Sequence, residues 1–156
     1  MLTWLDVIAI LVLSLAVALG YRHGLPFTLA VVPALVAYFL LASYLPSSYF
    51  PLLALVLGLG AGAIFQMVPL PRLSMTADGF AGAIGGLAWG LFLAFTIWVS
   101  FPSQYVASAG NYRYPSAKLP LSVQRAVYES KFAPSLFTWA LHQPLARKIL
   151  LPHVRK

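Results

Sequence analysis

The sequence predicts an all-α membrane protein: four transmembrane helices in an up-down bundle, followed by a basic, amphipathic C-terminal tail. Three observations predict it. The chain of 156 residues is 61% hydrophobic and 8% charged, whereas soluble domains carry roughly 25% charged residues. No Lys, Arg, Asp or Glu occurs between Leu25 and Pro71, or between Gly79 and Tyr112. The net charge of +7 is also uneven. Residues 1–101 hold Arg22 and Arg72 against Asp6 and Asp78, while 102–156 hold eight Lys or Arg against Glu129 alone.

A hydrocarbon core of about 30 Å needs about 20 mostly apolar helical residues. Four windows qualify: Trp4–Tyr21, Leu25–Leu45, Phe50–Leu70 and Gly79–Phe101. Helices are the expectation for each, because lipid offers no partner to an unpaired backbone. The connections are short, so sequential spans should run antiparallel. Pro46-Ser47-Ser48 carries turn chemistry. Pro69-Leu70-Pro71-Arg72 stops the third span. Pro26 suits a first helical turn, and Pro33 should kink the second span. Trp4, Tyr21, Tyr44, Tyr49, Trp98 and Tyr105 crowd the span ends, where amphipathic rings suit the headgroup zone. The first span resembles a signal peptide only at Ala16-Val17-Ala18; its start carries an acid and no base.

Residues 1–101 thus read as a transmembrane domain and 102–156 as a basic, Pro-interrupted tail. Tyr105–Lys118 reads as loop. Ser122–Lys131 and Leu136–Leu141 read as short amphipathic helices, followed by Leu145 and Ile149 with Arg147 and Lys148 beside them. Such helices suit the membrane surface or the bundle's own loops. Their charge points to anionic lipid headgroups as partners. Nucleic acid is not expected, since no binding motif or dense basic run accompanies the charge.

The polar residues of the spans are few. Thr3-Trp4-Leu5-Asp6 has capping-box spacing. Four spans put Arg22, His23, Arg72 and Asp78 on one membrane face, where an arginine could pair with Asp78 or Asp78 could cap the fourth span. Gly82, Gly86 and Gly90 follow Asp78 at intervals of four, and Gly58 and Gly62 repeat that interval in span three. Small residues so spaced let helices approach closely in lipid, within one chain or, through the same glycine faces, between copies or with a protein partner.

Signatures of catalysis are not found. The three acids lie far apart, and no H-E-x-x-H, phosphate-binding loop or G-x-S-x-G occurs. Without cysteine, and with His23, His142 and His153 at no ligand spacing, no metal site or cofactor is expected. The reading is non-enzymatic.

Trp4-Leu5-Asp6, the turn Gly20-Tyr21-Arg22-His23-Gly24, and the late pattern Asp78, Gly82, Gly86, Gly90 together resemble the colicin V production (CvpA) family of small bacterial inner-membrane proteins. The resemblance covers residues 4–101. It departs at Gly79 and Trp89, where the family usually has arginines, so a charge network built on those arginines has no counterpart here. The resemblance implies a multi-pass protein of the bacterial inner membrane that supports secretion of a toxin or maintains the envelope. It brings no catalytic residues. The alternative is a small transporter or channel subunit with a path near Asp78 and Arg22. The orientation is balanced: Arg22 and Arg72 on one face oppose Arg113 and Lys118 on the other.

Overall fold

The computed structural model describes residues 2–69, 74–106 and 111–144. Four helices in it are long and apolar enough to cross a membrane: α1 (Trp4–His23), α2 (Leu25–Ala42), α3 (Phe50–Gln66) and α4 (Met75–Val99). A 3-10 turn, Ser47–Tyr49, leads into α3. The ends follow local chemistry. Pro26 and Pro51 occupy the first turns of α2 and α3, where a missing N–H costs nothing. Helix α4 starts at Met75, four residues before the apolar window, because Ser74 caps it by accepting from the Ala77 N–H. Helix α2 runs through Pro33 without a break.

The helices alternate in direction, with α4 at the centre. Gly20 meets Gly82, Ala16 meets Gly86 and Leu13 meets Gly90, so α1 and α4 run antiparallel. Phe27 lies on Gly62 and Tyr38 on Phe50, so α2 and α3 do likewise. The α1–α4 contact is the most extensive in the protein, and α1 and α2 touch little beyond their shared turn. Around α4, Phe27, Ala34, Tyr38, Phe50, Ala54, Trp89 and Leu93 form one buried cluster. Its Tyr38 ring meets Phe92 edge to face at 4.7 Å.

The chain after α4 differs from the loop the sequence suggests. Strands β1 (Gln104–Val106) and β2 (Asn111–Arg113) pair antiparallel, with Tyr105 opposite Tyr112. Their rings lie 5.1 Å apart, the aromatic cross-strand pair that stabilises a short ladder. Two helices follow, α5 (Leu121–Glu129) and α6 (Ala133–His142). They dock on the end of the bundle where α1 begins and α4 ends. Val127, Ala133, Phe137 and Ala140 share a buried cluster with Leu5, Ala9, Ala94, Trp98 and Val99. Outside lipid, each large side chain so covered contributes about 1.5–3 kcal/mol. Residues 102–106 and 111–144 therefore form a cap continuous with the bundle's core. Leu145, Arg147, Lys148, Ile149 and His153 lie outside the described residues.

Candidate functional site

The acids singled out in the sequence, Asp6 and Asp78, sit at two places, one at each end of the α1–α4 contact, and the glycines of α4 lie along the contact between them. The first is built around Asp6, which has no exposed surface. It sits in the first turn of α1, where the positive helix end favours an anion. Its Oδ2 accepts from the Thr3 N–H at 3.1 Å and from the Thr3 hydroxyl at 3.2 Å, the acidic half of a capping box. Its Oδ1 faces the other way. There the Trp98 indole N–H donates at 3.0 Å and the Ser130 hydroxyl at 2.5 Å. Ser130 in turn accepts from the Phe132 and Ala133 N–H groups at 3.2 and 3.1 Å, so it also holds the start of α6. One carboxylate thus joins α1, α4 and the α5–α6 corner.

Trp98, expected among the headgroup aromatics, is instead buried against Asp6. The indole turns inward because the carboxylate offers a charged acceptor that lipid cannot. Trp4, Tyr21, Tyr44, Tyr49 and Tyr105 are exposed, as interface anchors should be. Next to this site, the Tyr114 ring stacks on Phe137 at 3.9 Å and its hydroxyl donates to the Trp98 carbonyl. Burial pushes the Tyr114 phenol above its usual range.

The second place lies at the opposite membrane face, where α1, α2 and α4 meet. Gly24 makes the turn between α1 and α2 at φ +68° and ψ −152°, a backbone conformation essentially confined to glycine. A methyl group there would stand 1.9 Å from Asp78 Oδ2. The missing side chain admits the Asp78 carboxylate, whose Oδ1 accepts from the Leu25 N–H at 3.0 Å. Asp78 therefore caps α2 from α4, and Ser74 caps α4 itself. Gly24 has no side chain to cap the helix it starts, and Asp78 supplies one from a distant part of the chain. Arg22 is exposed in the last turn of α1, a favourable end for a cation. It forms no ion pair with Asp78; among the described residues the ion pair present is Arg125 with Glu129, at 3.6 Å. The direct Arg22–Asp78 pairing that topology allows is thus replaced by the bond to Leu25, since a first-turn N–H has no partner within its own helix and the exposed Arg22 needs none. Arg72 lies outside the described residues.

Between the two places runs the glycine contact. A methyl on Gly82 would lie 1.9 Å from the Gly20 carbonyl oxygen, and one on Gly86 2.3 Å from the Ala16 carbonyl oxygen. One on Gly90 would lie 2.8 Å from Leu13 Cδ1. The backbones therefore touch, as lipid-embedded packing favours. In α3, Gly58 lies beneath the Trp89 indole, with Nε1 2.0 Å from where a Cβ would be, and Gly62 beneath the Phe27 ring. Gly85, off the stripe of four, meets Thr28 of α2, whose hydroxyl donates to the Ala81 carbonyl.

Sequence reasoning missed Ser130, Tyr114 and Thr28. Ser130 does accept from the N–H groups two and three residues ahead of it, the local turn that a serine just before a helix start can make, a signal that the sequence carried. Chemically, both places are hydrogen-bonded anchors. The described acids sit apart, Asp6 and Asp78 at opposite ends of α1–α4 and Glu129 on α5. Among the described residues no group of three His, Cys, Asp or Glu could hold a metal ion. Comparison of the chain with protein-family models, with curated proteins and with solved structures found no match.

Proposed function

We propose that the chain is a non-enzymatic component of the bacterial inner membrane that supports secretion or maintains the envelope, in the manner of the colicin V production family it resembles. One observation carries the reading. The acids and glycines of the resemblance build the bundle: Gly20, Gly24, Asp78, Gly82 and Gly86 meet where α1, α2 and α4 join, and Asp6 locks the cap to the far end. A motif devoted to holding one shape suits a protein that works by presenting surfaces to partners. A transport path near Asp78 would need polar groups facing water, whereas the Asp78 carboxylate is held on the Leu25 N–H and the α1–α4 seam is closed by backbone contact.

Two measurements test the proposal together. Expression in a bacterium lacking its own colicin V production protein should restore toxin export, and Gly82→Leu should abolish that rescue. Purified chain in liposomes should pass ions and small solutes no faster than empty liposomes. Failure to restore export, together with a flux above the empty vesicles, would replace this role by the transporter alternative.

A further inference from the structure

We infer that the groove between β2 and α5 binds the phosphate-bearing headgroup of an anionic phospholipid. The inference rests on the chain being a multi-pass membrane protein and not on its role in secretion. The groove has a volume of about 680 Å³, and Arg113 from β2 and Arg125 from α5 both line it. Each guanidinium carries five donors in a planar fork suited to phosphate oxygens. Its one acid, Glu129, is engaged by Arg125 Nε at 3.6 Å, with both side chains largely exposed. Such an exposed pair is weakly held, so a phosphate can take over the arginine's remaining donors. Among the described residues Arg113 is in no ion pair within 4 Å. Ser122 of α5 also lines the groove.

The surroundings select a lipid over free phosphate. Leu121, Arg125 and Tyr128 recur at helical spacing on the outer face of α5, opposite Ala126 and Val127, which are buried. Leu121 is 83% exposed and Tyr128 75% exposed, and both line the groove. Large apolar groups flanking cations are what an interfacial helix presents to headgroups and the first acyl carbons. The cap is also held at the membrane surface, since its core includes Leu5, Trp98 and Val99 from the ends of two spans. Trp139 of α6 stacks edgewise on Phe95 of α4, with ring centres 5.7 Å apart, so the cap reaches down along the span.

The full chain in nonionic detergent tests this by native mass spectrometry, with phosphatidylglycerol and phosphatidylcholine of identical acyl chains as probes. Phosphatidylglycerol should be retained in preference. The variant Arg113→Ala/Arg125→Ala should lower that retention on the order of tenfold and leave phosphatidylcholine unchanged. Lys118→Ala/Lys131→Ala removes the same charge from exposed positions outside the groove and should leave both unchanged. Equal retention of the two lipids, equal loss in the lysine variant, or displacement by soluble glycerol phosphate as effectively as by lipid would each overturn the proposal. Should the double arginine variant unfold, Arg113→Gln and Arg125→Gln singly carry the same test. Lipid retention and toxin export are separate readouts, so either reading can fail while the other stands.

Discussion

Asp6 shows how much a single carboxylate can organise when its two oxygens serve different partners. Oδ2 closes the local capping box and Oδ1 reaches Trp98 and Ser130. Burying an anion without a cation is costly unless donors surround it, and here four donors do. Asp6→Ala should therefore cost on the order of 3 kcal/mol, since it leaves a buried indole N–H and a buried hydroxyl unpaired. Asp6→Asn, which keeps one acceptor, should cost about half of that. Thermal unfolding of the purified variants in detergent measures both; an Asp6→Ala midpoint equal to the parent's would mean the buried network is not formed. The cap half of this arrangement was legible, because Thr3 and Asp6 are three residues apart. The other half was not. Trp98 and Ser130 stand 92 and 124 positions away, and no local spacing encodes a contact of that range. Arg22 misled for the complementary reason. Topology puts it on the face of Asp78, but the N–H at the start of α2, which has no partner within its own helix, takes the carboxylate, while the exposed guanidinium needs none.

At the scale of elements, lipid changes which residues decide packing. Apolar side chains gain nothing by leaving lipid for a neighbouring helix, so close backbone approach carries the association. That is why the interval of four from Gly82 to Gly90 was readable as a helix contact. Its partner, Ala16, Gly20 and Gly24, carries the same interval on α1 and its C-cap, but those residues read locally as a turn and a cleavage-like triplet. Gly86→Ala should separate α1 from α4, since its methyl would stand 2.3 Å from a carbonyl oxygen. A loss of about 1–3 kcal/mol is expected, the usual cost of overpacking. Gly60→Ala on the open face of α3 meets nothing within 4 Å and should be neutral or slightly stabilising. Equal melting of the two variants in detergent would remove the glycine argument. Outside lipid the usual hydrophobic accounting returns, and the cap's Tyr114 adds a titration to it. Its phenol is raised by burial, so the neutral form is favoured in the docked state. That contribution is complete below the unfolded value of about 10 and is lost as pH rises beyond it toward the higher docked value. The stability of the parent should fall above about pH 10, and Tyr114→Phe, which keeps the stack on Phe137, should flatten the slope. An unchanged slope would mean that Tyr114 does not titrate on undocking.

For the whole molecule the decisive property is that cap, N-terminus and the α2–α3 turn share one membrane face. Four spans of alternating direction require it, and the Asp6–Ser130 bond fastens the cap there. The bundle and the direction of its helices were legible, because apolar length and charge-free windows are properties of composition. The docking was not, because amphipathic helices such as α5 and α6 carry an apolar face that serves a lipid surface or a protein surface equally well. Which of them it meets depends on a buried carboxylate far away in sequence. The chain has no cysteine, so single introduced thiols report position cleanly. Ala133 has no exposed surface, and Ala133→Cys should resist a membrane-impermeant maleimide in intact membranes. Combined with Asp6→Ala, the same thiol should become reactive, and from the face that labels Ser48→Cys. Gln66→Cys, at the far end of α3, should label only from the opposite face. A thiol at position 133 that reacts freely in the parent would show the cap undocked in the membrane. Labelling of positions 48 and 133 from opposite faces would break the four-span topology itself.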